Sequence, residues 1–359
     1  MAASVAGKSS GRYCYREVLP FAIMVIVECA NVGNSTLFKA ASDAGASYMV
    51  FVVYSFAISV LSLLPLAFLF HRKTRLPPLS SALMGRICLL VVIGLTGQTL
   101  GYKGIQYSSP TMASSMSNLT PAFTFALAIA FRMEKLALRS LPSLAKIIGT
   151  VVSISGALVV VLYEGPAVVR GSSHPKTLNY SLGSDEQSDW VIGGVLLVID
   201  YILISIWYIV QAQTARLYPA EFFIVFLYNL GVTLLSAPVY YFMEPDLNAW
   251  RINSQIVIIS LLYAGVVSTA FGIVVHTWSL RVKGPVYVAS FRPLSIAIAA
   301  VMGVLFLGDT LFLGSVIGAI LIAIGFYVVL WGKVQEDMYE DLGTGSIESP
   351  DPEDVPLLR

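Results

Sequence analysis

Two carboxylates sit where carboxylates are costly: Glu28 lies near the middle of the first long apolar stretch and Asp200 near the middle of the sixth. An ionisable side chain at the centre of a bilayer costs about 3 kcal/mol on insertion scales and faces a cavity or a partner rather than lipid. A carboxyl so placed can exchange a proton or pair with a substrate ammonium; the alternative is a neutral carboxyl hydrogen-bonded between helices. Arg292, in the ninth stretch, can hold a substrate carboxylate or pair with Glu28 or Asp200. It also lies only about 10 Å from the near end of its stretch at 1.5 Å per residue, so snorkelling to the interface is its nearest outlet. Asn118, Thr120 and Ser290 stand just before prolines, while Trp207, Gln211 and His276, with Gln98, Tyr208, Asn229 and Trp278, offer hydrogen bonds or a stacking face. Each of these alone is also ordinary helix-packing material. No catalytic constellation and no cofactor or metal motif is present, and Cys14, Cys29 and Cys88 have neither metal nor redox spacing.

The elements that must position these groups come as a repeat. Tyr54 and Tyr228, Pro65 and Pro238, Pro121 and Pro293, and Gly149 and Gly318 keep nearly the same separation, drifting from 174 to 169 residues, and Glu28 and Asp200 are 172 apart. Each repeat holds five apolar stretches. Two copies of an odd number of spans must insert in opposite orientations, an arrangement characteristic of secondary transporters. The repeat therefore pairs Glu28 with Asp200 across a central cavity. It also pairs the proline interruptions: Pro110 and Pro121 in the fourth stretch, Pro285 and Pro293 in the ninth. Proline frees a carbonyl one turn back and bends a helix, and matched interruptions in two halves point to a substrate site. Packed helices that merely kink are the plainer reading. Gly97 and Gly101, and Gly314 and Gly318, have the small-residue spacing of close helix contacts.

Composition agrees with a membrane chain: 57% of the residues are apolar and 12% charged, against roughly 25% charged in soluble domains, and the mean hydropathy is +0.78. Runs of about 20 apolar residues, enough to cross a hydrocarbon core about 30 Å thick, fall near 18–38, 47–70, 86–106, 111–131 and 144–163. A second set falls near 190–211, 220–243, 254–276, 285–307 and 312–332. Ten helical spans are expected, because an open strand in lipid leaves backbone groups unpaired, and the first is expected to be retained rather than cleaved. The expected organisation is a cytosolic N-terminus over 1–17, a five-helix repeat over 18–163, a non-cytosolic linker over 164–189, a second repeat over 190–332 and an acidic cytosolic tail over 333–359.

Basic residues set the orientation. Lys8, Arg12 and Arg16, then Arg72, Lys73, Arg75 and Arg86, then Arg132, Lys135, Arg139 and Lys146, mark cytosolic segments, which puts both termini in the cytosol. The linker carries the sequon Asn179-Tyr180-Ser181, a glycosylation candidate on the far side. The tail is dense in Asp and Glu, reads as solvated and disordered, and ends in Glu353-Asp354-Val355-Pro356-Leu357-Leu358. An acidic residue, three others and then paired leucines is the pattern of a sorting signal that docks on a vesicle-coat adaptor, against chance similarity at a chain end.

The stretch from Tyr107 through Ser108-Ser109-Pro110-Thr111-Met112-Ala113 to Asn118-Leu119-Thr120-Pro121-Ala122-Phe123-Thr124, followed by Phe131-Arg132-Met133-Glu134, resembles the first-half signature of the plant drug/metabolite exporter family. Trp207-Tyr208-Ile209-Val210-Gln211, Tyr218-Pro219-Ala220, His276-Thr277-Trp278, Lys283-Gly284-Pro285 and Tyr327-Val328-Val329-Leu330-Trp331-Gly332-Lys333 resemble its second half. This family, also called nodulin-21-like, walls-are-thin-related or UMAMIT, carries two EamA domains of the drug/metabolite transporter superfamily. The resemblance spans about 18–333. It implies an all-α fold of ten helices in two inverted repeats around a central cavity, moving amino acids, or auxin and related metabolites, across the plasma or vacuolar membrane. It assigns no role to Glu28, Asp200 or Arg292. Absence of a Walker-type phosphate loop leaves secondary or facilitated transport by alternating access. A non-transporting receptor or scaffold is the first alternative. A nucleotide-sugar carrier would need a more basic cavity, and an intramembrane aspartyl protease would need other contexts than Asp200-Tyr201 and the segment before Asp309. No nucleic-acid partner is indicated, and the oligomeric state is left open.

Overall fold

In a chain this apolar, helices form wherever lipid would leave the backbone no other partner. The computed structural model describes residues 18–73, 80–107, 113, 116–134, 140–163, 166–169, 184–218, 220–244, 246, 248–252, 254–302 and 311–345. In the first half lie α1 (Leu19–Asp43), α2 (Tyr48–Lys73), α3 (Ser81–Tyr107), α4 (Thr120–Ala130) and α5 (Leu141–Leu162). In the second lie α6 (Ser184–Leu217), α7 (Glu221–Met243), α8 (Gln255–Val282), α9 (Pro285–Ser290 and Arg292–Met302) and α10 (Leu313–Gly345). Helical segments thus occupy all ten expected places. Seven of them, α1–α3, α6–α8 and α10, are long and apolar enough to cross a membrane by length and composition. α4, α5 and α9 contribute shorter apolar runs, Thr120–Ala130, Leu141–Gly156 and Pro285–Ile298. Both α4 and α9 carry a proline-marked break.

The breaks are repeat-related. α4 begins at Thr120 with Pro121 in its first turn, after a turn at Asn118 and Leu119. α9 is interrupted at Phe291 and resumes at Arg292, with Pro293 next. Pro285 opens the first piece of α9 behind Gly284, whose φ of 89° belongs to glycine. Pro65 and Pro238 lie inside α2 and α7.

Interhelical contacts follow the same symmetry. α3 packs on α6 as α8 packs on α1; α2 packs on α8 as α7 packs on α3; α4 packs on α6 as α9 packs on α1. Each of the pairs α2–α7, α4–α9 and α5–α10 maps onto itself. The last is the closest seam in the molecule. A Cβ on Gly149 would lie 2.6 Å from the Gly325 carbonyl oxygen, one on Gly325 2.5 Å from the Ser153 amide, and one on Gly156 2.9 Å from the Gly318 carbonyl. Backbone meets backbone there, as small residues permit. Gly314 likewise abuts the Tyr163 carbonyl.

Two of the apolar clusters among the described residues are larger than the rest. One joins α2, α3 and α7 through Phe56, Leu90, Val91, Tyr228 and Val232. The other joins α1, α6, α8, α9 and α10 through Met24, Tyr208, Leu280, Phe291 and Phe326. Large apolar side chains such as Leu61, Leu234, Phe242 and Tyr327 are exposed, as a lipid-facing surface requires.

Three expectations change. Within the linker, β1 (Ala167–Val169) pairs antiparallel with β2 (Leu311–Phe312), clasping the start of α10 to the end of α5, and the Leu313 amide donates to the Pro166 carbonyl. α6 is already helical from Ser184, inside the range assigned to that linker. The acidic tail, expected to be disordered from 333, continues α10 to Gly345, its first turn closed by a Lys333–Glu336 ion pair at 2.9 Å.

Candidate functional site

Helix α8 brings the second half to Glu28. Its central stretch, Ala264–Gly272, is π-helical, a form that clusters at functional sites because it rotates the residues beyond it. Gly265 lets this stretch approach α2 to where a Cβ would touch the Ser55 carbonyl, at 2.9 Å. Ser268 bonds Asn31 at 3.0 Å and the Tyr263 hydroxyl donates to the Ala30 carbonyl at 3.2 Å, fixing α8 along α1. One turn on, His276 Nε2 lies 3.8 Å from Glu28 Oε1. Glu28 is 1% exposed; neither of its oxygens nor His276 Nε2 makes a hydrogen bond of normal geometry among the described residues, although the Asn31 side chain on the same helix acts on the Glu28 carboxyl. Two unsatisfied polar groups face each other at a distance too long for a hydrogen bond. A proton, a water or a ligand group would satisfy both, since a buried polar group left unpaired is destabilising.

Arg292 does not snorkel. It turns inward from the restart of α9, where its Nε donates to the Tyr208 hydroxyl of α6 at 2.9 Å and its guanidinium carbon lies 5.9 Å from the Tyr208 ring centre. The Tyr208 ring is 6.4 Å from that of His276. Four helices, α9, α6, α8 and α1, thus supply a continuous row Arg292, Tyr208, His276, Glu28. The guanidinium's terminal nitrogens make no hydrogen bond or ion pair among the described residues, leaving the fork that binds a carboxylate in two-point fashion unengaged. The snorkelling expectation fails because the Tyr208 hydroxyl offers a partner inside the bundle.

Asp200 stands eight residues before Tyr208 on α6, about 12 Å along the axis. It rests against α3, where a Cβ on Gly97 would lie 3.0 Å from Oδ1 and one on Gly101 2.5 Å from Oδ2. The Gly97/Gly101 pair, read from spacing as a helix contact, is also the berth of a carboxylate. Asp200 is buried yet makes no hydrogen bond or ion pair among the described residues, and the charge of Arg292 acts on both Asp200 and Glu28. The two repeat-related carboxylates thus both feel the charge of one cation in unlike surroundings, Glu28 enclosed beside a histidine and Asp200 lodged on glycine.

The other candidates divide. Trp207 packs between Tyr208 and Tyr228, with ring centres 5.8 and 5.6 Å away, forming an aromatic wall next to Arg292. Gln211 is buried one turn beyond Trp207, donating to Thr277 at 2.8 Å with its own carbonyl oxygen unsatisfied. Asn118 and Thr120 are buried at the α4 break, where the Thr120 carbonyl faces the Ser205 hydroxyl at 3.4 Å. Ser290 is spent on its own helix, donating to the Tyr287 carbonyl at 2.7 Å. Pro121, Pro285 and Pro293 mark the breaks already described. Pro110, Asn179, Glu353, Leu357 and Leu358 lie outside the described residues. A cavity of ≈ 190 Å³ opens elsewhere, where the end of α1 meets the loop before α8, lined by Gly45, Ser47, Tyr54, Asn248 and Arg251. Spacing pointed to Tyr208 only as a weak candidate, and nothing in it announced the π-helical stretch.

Comparison with known proteins fits this geometry. Residues 22–162 and 191–331 each match the model of the EamA-like transporter family. The chain is 52% identical to WAT1-related protein At5g40240 of Arabidopsis thaliana, over 96% of this chain and 94% of that protein. It is 49% identical to WAT1-related protein At4g15540 of the same plant, over 91% and 92%. A crystal structure of a protein 15% identical superposes with a TM-score of 0.64, covering 88% of this chain and 98% of that one, which supports the fold.

Proposed function

The chain is a WAT1-related member of the EamA-like transporter family, an integral membrane protein that moves small molecules rather than an enzyme, and on that premise we propose that it carries amino acids, with auxin-like carboxylates as a second class. The observation that carries this reading is the inward-turned guanidinium of Arg292, whose terminal nitrogens make no hydrogen bond among the described residues and whose charge acts on both buried carboxylates, Glu28 and Asp200. A zwitterion fits such a set: its carboxylate meets Arg292 and its ammonium meets Asp200 or Glu28. Trp207 and Tyr208 offer an apolar wall for its side chain.

Ten spans in two inverted repeats, with both termini cytosolic, are part of the proposal. The paired contacts between the halves and the matched breaks at Leu119 and Phe291 support it. Alternating access then rocks the halves about the row from Arg292 to Glu28, by secondary or facilitated transport across the plasma or vacuolar membrane. The half-helices starting at Thr120 and Arg292 add positive dipole ends beside the site, which suits an anionic group.

Uptake and efflux in proteoliposomes, with labelled amino acids and auxin at two pH gradients, test this. Saturable movement of one class is expected, lost in Arg292→Gln. Glu28→Gln and Asp200→Asn report coupling: unchanged rates and unchanged pH dependence in both would remove the carboxylates from the mechanism.

A further inference from the structure

Resting on the transport reading and its cytosolic orientation, we propose that Glu134 is an ionic latch that holds the cytosolic end of α4 shut. After α4, Arg132 takes a φ of 56°, unusual for a residue with a side chain. The reversal lets the Ala128 carbonyl accept from both the Met133 and Glu134 amides, at 2.8 and 3.2 Å, and turns Glu134 inward.

There it completes a closed ring of four charges. Lys146 Nζ lies 2.6 Å from Glu134 Oε2 and 2.9 Å from Glu336 Oε2. Lys333 Nζ lies 3.1 Å from Glu134 Oε1 and 2.9 Å from Glu336 Oε2. The side chains of Glu134 and Lys146 are 3% and 1% exposed. Lys146, counted in the sequence as a cytosolic loop cation, is instead a buried member of α5.

The ring joins parts with different freedom. Both lysines and Glu336 ride on α5 and α10, whose glycine seam leaves no room for sliding. Glu134 follows the end of α4, the helix whose start at Thr120 packs on α6 beside Ser205. It also reaches the start of α9, lying 4.0 Å from where a Cβ on Gly284 would stand. Between Arg292 and this level the molecule is closed: Ala212, Thr214 and Ala215 of α6, Thr277 and Leu280 of α8, and Pro285 through Ala289 are all buried. A buried ion pair adds little when intact but is strongly destabilising when one partner is removed. While whole, the ring ties the end of α4 to α5 and α10, and α4 is released once Glu134 leaves both lysines for water.

The test is a labelling rate in the full chain, with Cys14, Cys29 and Cys88 replaced by alanine. Ala212→Cys, on α6 below Tyr208, is probed with a membrane-impermeant maleimide applied to inside-out vesicles. Glu134→Gln should speed labelling of order tenfold, within the usual range of a conformational coupling. Lys333→Gln should act in the same direction, and reversing all four charges together, Glu134→Lys, Lys146→Glu, Lys333→Glu and Glu336→Lys, should bring the rate back toward the parent's. A rate unchanged in Glu134→Gln overturns the latch. So does an equal rise at Val232→Cys, buried in the α2–α3–α7 cluster, which would mark general loosening. Labelling needs no transported compound, so a latch that passes in a protein moving no amino acid would sink the substrate reading alone.

Discussion

Replacing Tyr208 with phenylalanine deletes one oxygen and leaves the ring that Arg292 overlies. The lost bond is the 2.9 Å donation from Arg292 Nε, a hydrogen bond from a charged group, worth about 1.5–3 kcal/mol net. The ring contact, 5.9 Å from the guanidinium carbon, survives. With Nε released, the guanidinium can swing toward Glu28, and the fork no longer faces a fixed direction. Holding it there again falls to the substrate's binding energy, so the half-saturation concentration for a carboxylate-bearing substrate should rise roughly 10- to 150-fold. The maximal rate should change far less, because the groups that contact the ligand are all present. Concentration-dependent uptake into proteoliposomes separates the two parameters. Arg292→Lys should not restore affinity in any background, since an ammonium lacks the planar fork. A Tyr208→Phe protein with parental half-saturation would refute the claim that Tyr208 aims Arg292 at the substrate.

Three further outcomes are expected. Gly149→Val puts side-chain atoms into the Gly325 carbonyl, 2.6 Å from the nearest Cβ position, and should destabilise the protein by about 1–3 kcal/mol or more, read as a lower thermal midpoint in detergent. Gly101→Ala pushes on Asp200 Oδ2, 2.5 Å from that Cβ; transport should fall, and in the Asp200→Asn background the same change should add little, a non-additivity measured by a double-mutant cycle. If Leu357 and Leu358 form a sorting signal, their replacement by alanine should redistribute a fluorescently tagged protein between membranes, visible by microscopy.

Position along each helix was readable from sequence; direction around it was not. Counting residues from a stretch's end places Glu28, Asp200 and Arg292 along their axes, and the near-constant separation pairs Glu28 with Asp200 and Pro121 with Pro293. Azimuth depends on partners far away in the chain. Arg292 turns inward because of Tyr208, 84 residues earlier, and no local pattern encodes that. The π-helical stretch of α8 was equally hidden, for its composition matches that of an ordinary apolar helix, and it arises where Gly265 meets α2. Lys146 was counted among loop cations, yet it is buried in α5, and its burial needs Glu134 and Glu336, which only the packing of α5 on α10 brings together.

The glycine seam between α5 and α10 also sets a timetable. Ribosomes add about 5–20 residues per second, so Gly325 emerges roughly 10–35 s after the Gly149 it must meet. During that interval the grooved face of α5 lies against lipid, with Lys146 near one end and none of its partners on α10 yet made. A freshly inserted first half is thus an incomplete object in which a cation and a bare backbone groove await a helix still to be translated. Insertion machinery must shelter that face, and degradation has a natural mark by which to recognise chains that stop short of α10.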